Sequence, residues 1–506
     1  MSNEVNMLMP ESPNLIFIFT DQQRADTLSC YGNRNIEAPN LNALSQRSFV
    51  FDNAYVSAPV CTPSRGTLLS GLWPHTHRAV ENNIPLPSDV KTIVDLLPEN
   101  YLKAYHGKWH LGDEVIRREG FDEWVSIEDQ YRDHYSDERY DKVLSDHCNF
   151  LKMNGFEPDK VSKGEKVFSR AYAATMVEEF TKAQFLASQA EQFIEKNKHR
   201  PFALYINIFE PHPPYDGPLN DLYDPADIPV PPTFLKNPPD NASEMHKLRA
   251  EASLGGQGFD PDRDVWGDTG DEDLWRDIIA RYWGNVTLVD RAVGRILNAV
   301  VQAGLQHNTI IVFTSEHGEQ LGEFNIIQKT TFYESSIKVP MIVHVPWINN
   351  QKENEGNDSF SPIQRMSRIE GRYSHIDTVP TLLDLMGIEV PENLQGTSRV
   401  PVLNGEETLE KSDVFIDWPG DMSHLITEDM PEVKKLRMQP YRSIISREGW
   451  KLTLGPEQNE FYDLNEDPYE QNNLFDQVSE KSRIKDLTDR INQWQVDTGD
   501  TAVLPK

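Results

Sequence analysis

Cysteine is scarce in this chain: Cys30, Cys61 and Cys148 are the only three among 506 residues, and no two stand at a paired spacing, which argues against a disulfide framework. Long apolar runs, low-complexity tracts and internal repeats are also missing, so neither a membrane span nor extended disorder is expected. Basic residues are few, 49 against 80 acidic ones for a formal net charge of −31. That balance opposes nucleic acid and anionic membrane as partners and argues against a densely charged polyanion as substrate, although a local basic pocket overrides a global field at ordinary ionic strength. The first residues, Met-Ser-Asn-Glu-Val-Asn-Met, lack a basic n-region, and the apolar run Leu15 to Phe19 is too short for a signal peptide. A cytoplasmic location is the expectation.

What is present suits a large enzyme-sized domain. At 38% hydrophobic and 10% aromatic residues the chain can bury a sizeable core, yet it is too long for one simple core. We expect a large domain over residues 1–390 and a smaller one over 391–506. Strands are expected at Leu15–Thr20, Phe202–Phe209, Thr309–Thr314 and Met341–Val345, and helices at Thr92–Leu97, Ala171–Asn197 and Ile278–Ala303. This alternation predicts an α/β fold, a large mixed but mostly parallel sheet sandwiched by helices. After Gly387 turn residues punctuate the chain, Tyr441–Leu464 reads as antiparallel strands, and Ser482–Trp494 reads as an amphipathic helix with Ile484, Leu487, Ile491 and Trp494 on one face. Two long segments without clean periodicity, Asp113–Lys166 and Tyr215–Asp273, read either as specificity-bearing elaborations or as structural decoration.

Polar motifs follow the predicted strands. Asp21 and Gln22 come after the first, Glu210 to His212 after the second, and Glu316 and His317 after the third, so distant segments are expected to converge beyond one sheet edge. Asp21, Gln22, Glu316 and His317 offer mostly hard oxygen ligands suited to Ca²⁺, Mg²⁺ or Mn²⁺; acidic residues after strands also cap helices, and His-Gly is often a turn. Lys108 and His110 in Gly107-Lys108-Trp109-His110-Leu111-Gly112, His212 in Pro211-His212-Pro213-Pro214, and Lys329 are candidates for anion binding. His75 and His77 read as packing residues and not as a zinc pair, because no third ligand stands nearby.

Cys61 stands at a turn-to-helix junction, with Pro63 fixing a first turn that Arg65 to Leu72 can continue. It reads either as a nucleophile beside helix amides that favour an anion or as a small buried hydrophobe. The segment Pro59 to Gly71 closely resembles the sulfatase signature C-x-P-S-R-x-x-L-L-x-G. Gly107–Gly112 matches a second signature of that family, Thr314-Ser315-Glu316-His317-Gly318-Glu319 resembles its Ser-Asp-His-Gly-like motif, and Lys329–Pro340 resembles a further one. The chain is thereby identified as a member of the sulfatase family, within the alkaline-phosphatase-like superfamily, from Leu15 to about Gly387.

The resemblance implies sulfuric ester hydrolysis of the arylsulfatase type, in which a formylglycine-generating enzyme oxidises Cys61 to formylglycine. It implies one divalent cation, Ca²⁺ foremost with Mn²⁺ or Mg²⁺ as alternatives, held by Asp21, Gln22, Glu316, His317 and residue 61. By the same likeness Arg65 holds the aldehyde hydrate, Lys108 and Lys329 offset charge on the sulfuryl oxygens, His212 serves the leaving oxygen and His110 takes a proton from the second hydroxyl. Gln22 and Glu316 depart from the commoner aspartates, which bears on metal identity. The substrate is expected to be a small-molecule or saccharide sulfate ester; aryl, alkyl, choline-like and carbohydrate esters stay open, as does an oligomeric state. Two other readings stand beside this one: a phosphonate monoester or phosphodiester hydrolase of the same fold, and a catalytically silent metal-dependent binding protein.

Overall fold

Residues Asn14–Thr20 form strand β1, and all seven are buried. Leu15, Phe17 and Phe19 enter one apolar cluster while Ile16 and Ile18 enter another, because successive strand side chains point to opposite faces. A strand apolar on both faces belongs in the interior of a helix-covered sheet. The structure, a computed structural model, describes residues 9–254, 271–348, 366–419, 436 and 439–504. Residues 255–270 of the segment Tyr215–Asp273 thus lie outside the described residues.

Strands β2 (Phe49–Tyr55), β3 (Leu102–Gly107) and β4 (Glu123–Val125) follow β1, then a separate hairpin of β5 (Lys160–Ser162) and β6 (Glu165–Val167). β7 (Phe202–Ile208), β8 (Thr309–Ser315), β9 (Lys338–Val339), β10 (Met341–His344) and β11 (Ser367–Ser374) complete a nine-stranded sheet in the order β11-β2-β10-β8-β1-β7-β3-β4, with β9 on β2. β1 runs parallel to both β7 and β8, and β3 runs parallel to β7. β10 is antiparallel to β8 and to β2, so β2 runs the same way as β1. The chain therefore leaves β1, β2, β3, β7 and β8 at one common edge.

Helices cover both faces. Against the Ile16–Ile18 face pack α1 (Pro39–Ser45), α3 (Lys182–Asn197) and α4 (Glu272–Gln302), supplying among others Leu41, Leu186 and Val293. Against the other face pack α2 (Cys61–Ser70) and α5 (Thr378–Leu385), with Leu68, Leu69, Leu382 and Leu383. Strands β12 (Val414–Trp418), β13 (Tyr441–Ile445), β14 (Trp450–Leu454) and β15 (Glu460–Asp463) form the expected small antiparallel sheet. The terminal helix α6 (Lys481–Thr498) lays Leu487 and Ile491 on it, and Trp494 meets Trp73 edge-on at 5.1 Å.

The fold class is the one expected, with local differences. The helix predicted over Ala171–Asn197 is three pieces, Arg170–Ala174, a 3₁₀ turn at Glu178–Phe180, and α3; the Thr181 side chain accepts from Gln184 N and restarts the helix there. Helix α4 begins at Glu272, earlier than Ile278, because Asp271 caps it through Asp273 N. α2 begins at Cys61 itself, two residues ahead of Pro63. Among the described residues no helix is long and apolar enough to cross a membrane.

Candidate active site

The common edge brings the expected residues together. Asp21 follows β1, Glu316 and His317 follow β8, and Cys61 opens α2; all four are buried, and their ligand-capable atoms lie within 4.8 Å of one another. Gly107 permits the close approach of β3 to β7, and Gly318 that of the segment after β8 to the turn at Ser335. A Cβ at Gly107, whose φ is +130°, would sit 2.1 Å from the Asn207 carbonyl oxygen, and one at Gly318 would sit 2.0 Å from that of Ser335. Only glycine fits either place.

Arg65, one turn along α2 from Cys61, organises the cluster. Its Nη2 donates to Asp21 Oδ2 at 3.2 Å, its Nη1 to the Lys108 carbonyl at 2.6 Å, and its Nε is ion-paired with Glu316. Lys108 Nζ donates to the same Asp21 oxygen at 2.6 Å. Asp21 Oδ1 and both Glu316 oxygens are buried and make no hydrogen bond. The His317 Nδ1–H donates to the Gly318 carbonyl at 3.0 Å, which turns Nε2 inward. That Nε2 lies 3.2 Å from Cys61 Sγ, 3.3 Å from Glu316 Oε1 and 3.7 Å from Asp21 Oδ1.

Gln22 has left-handed backbone, φ 73°. Its amide oxygen accepts from Lys329 Nζ at 2.7 Å, and its amide nitrogen donates to Tyr215 Oη at 3.1 Å and to Glu319. The Lys329 segment is tied to the Cys61 segment by Thr330 N donating to the Pro59 carbonyl at 3.2 Å. His110 also has left-handed backbone, φ 55°, held by Glu114, which accepts from Trp109 N at 2.7 Å and His110 N at 2.9 Å. The His110 Nε2–H donates to Asn83 Oδ1 at 3.0 Å, while Nδ1 has no hydrogen-bond partner. His212 is buried with its Nδ1–H on the Pro213 carbonyl at 2.7 Å. His77 packs under α2 with Nε2–H on the Pro63 carbonyl at 3.1 Å, and His75 Nδ1 pairs with Asp417 at 2.5 Å.

The electrostatics follow from this burial and this crowding. Burial pushes the Asp21 carboxyl up, but Lys108, His212, Lys329 and Arg65 outweigh it and hold it well below the usual range. Burial likewise raises the Cys61 thiol, and Lys329 and Lys108, joined by His317, bring it well below an ordinary thiol. Glu316 goes the other way: burial dominates, Arg65 offsets part of it, and Asp21 adds to it. Burial, then Lys108, pushes His110 down to about 3, so the ring is neutral. The Asp21 and Glu316 carboxyls, the inward Nε2 of His317 and residue 61 together fit a divalent cation by donor type.

Three supporting residues escape sequence reasoning. Glu114 and Tyr131, which stacks on His110 at 4.1 Å, come from the segment Asp113–Lys166, where no periodicity marks them. Glu319, inside a quoted motif, turns out to anchor Gln22 and accepts from Tyr215 Oη at 2.6 Å.

Comparison with known proteins gives the family. The Sulfatase family model matches residues 13–388, and the one described as N-sulphoglucosamine sulphohydrolase, C-terminal, matches residues 322–497. The chain is 27% identical to the ulvan-active sulfatase of Formosa agariphila, over 97% of this chain and 82% of that one. Its fold is shared with the phosphonate monoester hydrolase of Silicibacter pomeroyi, at TM-score 0.75 and 21% identity over 97% and 96% of the two chains. It is shared too with a protein solved in complex with its substrate D-glucosamine-2-N,6-O-disulfate, at TM-score 0.72 and 22% identity over 97% and 99%. With most of its length matched by that family model, the chain belongs to the sulfatase family of the alkaline-phosphatase-like superfamily and is a sulfuric ester hydrolase.

Proposed function

We propose that the protein hydrolyses sulfate monoesters with residue 61 oxidised from cysteine to formylglycine and with one divalent cation, Ca²⁺ foremost, held by Asp21, Glu316, His317 and residue 61, with Gln22 alongside. The observation that carries this is the set of four buried donors within 4.8 Å of one another, flanked by the buried lysines Lys108 and Lys329. Hydrated formylglycine supplies two hydroxyls on one carbon, and a bound cation lowers the pKa of the attacking one and offsets charge on the sulfuryl oxygens.

The chain's own residues do the rest. Arg65 fixes both carboxylates, and Lys108 and Lys329 bring positive charge to the sulfuryl group. One hydroxyl oxygen of hydrated residue 61, its proton lost to solvent, bonds to sulfur while His212 gives a proton to the leaving oxygen, whose bond to sulfur breaks. His110, neutral and with a lone pair on Nδ1, accepts the proton of the second hydroxyl; the carbon–oxygen bond then breaks, sulfate leaves, and water rehydrates the aldehyde. A saccharide sulfate is the favoured substrate class, supported by the shared fold with a protein whose substrate is a glucosamine disulfate.

A second reading, hydrolysis of phosphonate monoesters or phosphodiesters, is favoured by the likeness to a phosphonate monoester hydrolase. The test is the mass of the Cys61 peptide, from protein made with a formylglycine-generating enzyme, together with rates on 4-nitrophenyl sulfate and on 4-nitrophenyl phenylphosphonate. Aldehyde at 61 with faster sulfate release supports the first reading. Faster phosphonate release turns to the second, and an intact thiol in protein that still turns over sinks the formylglycine account.

A further inference from the structure

Lys329 reaches the cluster on backbone that ordinary side chains avoid. Gln328 before it has φ 67° and Thr330 after it φ 76°, and a β-branched residue in the left-handed region persists only where its surroundings hold it there. Lys329 itself is 3% exposed, with Nζ on Gln22 Oε1 at 2.7 Å. The carbonyls of Ile327 and Lys329 face a single donor. Arg249 Nη2 gives to the first at 3.0 Å and to the second at 2.9 Å.

The opposite ends of the same two peptide units are also taken. Gln328 N donates to Glu319 Oε1, and Thr330 N donates to the Pro59 carbonyl at 3.2 Å. The units 327–328 and 329–330 are therefore each gripped at both ends, and Arg249 is the grip they share. Without it the unit 329–330 is free to turn about its one remaining bond, which relieves the positive φ of Thr330 and releases the backbone that aims Lys329. Among the described residues the Arg249 guanidinium forms no ion pair, and its Nε makes no hydrogen bond; the two carbonyls are what it holds, and a charged donor makes such contacts strong.

Arg249 is set in place by its helix, Glu244–Leu254. Positions 246, 249 and 253 share one helix face, and all three meet this loop. Ser253 Oγ accepts from Ile327 N at 3.4 Å and donates to the Arg249 carbonyl at 2.8 Å. His246 Nε2 accepts from Phe332 N at 3.4 Å, while its Nδ1–H is held by Glu460 of β15 at 3.2 Å. Of the three, only Arg249 touches Lys329.

We propose that Arg249 is a positioning residue for Lys329: it locks the two peptide units on which Lys329 rides, so that the ammonium stays on Gln22 and the reacting cluster. The helix Glu244–Leu254, part of the long segment Tyr215–Asp273, thereby builds the site instead of decorating it. The inference rests on the reading above, in which Lys329 meets the sulfuryl group.

The test is a double-mutant cycle of Arg249→Met and Lys329→Met on the modified, metal-loaded enzyme, read as kcat/KM for 4-nitrophenyl sulfate and as the Kd of inorganic sulfate by calorimetry. Arg249→Met is expected to lower kcat/KM and to weaken sulfate binding about tenfold each, as for a lost hydrogen bond to a charged group. In the Lys329→Met background the same change should cost less than about twofold, because its target is gone. A merely structural role gives equal losses in both backgrounds and overturns the proposal, as does a folded Arg249→Met with unchanged turnover. If Arg249→Met does not fold, Arg249→Lys, which keeps the charge but not the fork, enters the same cycle. A wild type that cleaves only 4-nitrophenyl phenylphosphonate sinks the sulfate-ester reading, and the cycle run on that ester still decides the role of Arg249. Unchanged turnover in Lys329→Met removes Lys329 from the chemistry and Arg249 with it.

Discussion

The imidazole of His77 fills the place that a side chain at position 66 would take: a Cβ on Gly66 would meet His77 Cε1 at 2.5 Å. Both ring nitrogens of His77 are engaged, Nε2–H with the Pro63 carbonyl at 3.1 Å and Nδ1 with Ala79 N at 3.1 Å. The ring is therefore a wedge under the first turn of α2, the turn that presents Cys61. Gly66→Ala is expected to cost about 1–3 kcal/mol by overpacking, read as a lower urea midpoint, and to reduce turnover further by shifting residue 61. Removing the wedge as well, in Gly66→Ala/His77→Ala, should recover part of the loss; strict additivity of the two changes would refute the contact.

His77 belongs to a set of buried neutral histidines that makes stability pH-dependent. Burial pushes His77, His147 and His344 down to about 4 and His375 to about 3. Their folded pKa values lie below the unfolded one, so the unfolded chain binds more protons between roughly pH 6.5 and 4. Stability is full above that window and falls as pH drops through it, by up to about 1.4 kcal/mol per pH unit for each histidine. Urea midpoints at pH 7.5, 6 and 5 check this; a flat profile contradicts it.

Lys451 joins the small sheet to the loop that follows Lys329. It is 1% exposed, 2.6 Å from Glu470 and 3.3 Å from Glu334, and Glu470 also accepts from Glu334 N at 2.7 Å. Lys451→Met leaves the buried Glu470 carboxyl and the half-buried Glu334 carboxyl without their cation and is expected to cost about 3–5 kcal/mol. Thermal unfolding is the measurement, and a loss under 1 kcal/mol would show the network to be solvated.

Metal removal tests the cluster separately from the chemistry. Dialysis against a chelator is expected to abolish turnover and lower the melting temperature, and added Ca²⁺ or Mn²⁺ to restore both. Asp21→Asn and Glu316→Gln should hold less than one equivalent of metal by elemental analysis. Full metal content in both variants would place the cation elsewhere.

His110→Ala and His212→Ala, by contrast, should keep their metal and lose about 10²–10⁴-fold in kcat. A variant that loses metal and turnover together would mark its histidine as part of the metal site.

Much of this site can be read from the chain because its chemistry sits in short motifs at strand ends. Strands β1, β7 and β8 show as apolar runs because both of their faces are covered. β2 does not, since Asp52 and Asn53 interrupt it near a sheet edge where they are half-buried; nor does β3, Leu-Lys-Ala-Tyr-His-Gly, a strand only through its register with β7. Arg65 was legible as a site residue, but its three-way hold on Asp21, Glu316 and the Lys108 carbonyl depends on parts of the chain hundreds of residues apart. Glu114 and Tyr131 act through loops whose course no local propensity determines.

Cys61 is 1% exposed in the folded protein, and the roof above it is late in the chain. β1 lies between β7 and β8, and His317 and Lys329 follow β8 in sequence. At about 5–20 residues per second of synthesis, tens of seconds separate the emergence of residue 61 from that of its last neighbours. An enzyme that oxidised this cysteine as proposed would therefore work against a clock set by translation, and slowing the ribosome beyond position 61 would lengthen its opportunity without altering a single contact in the finished fold.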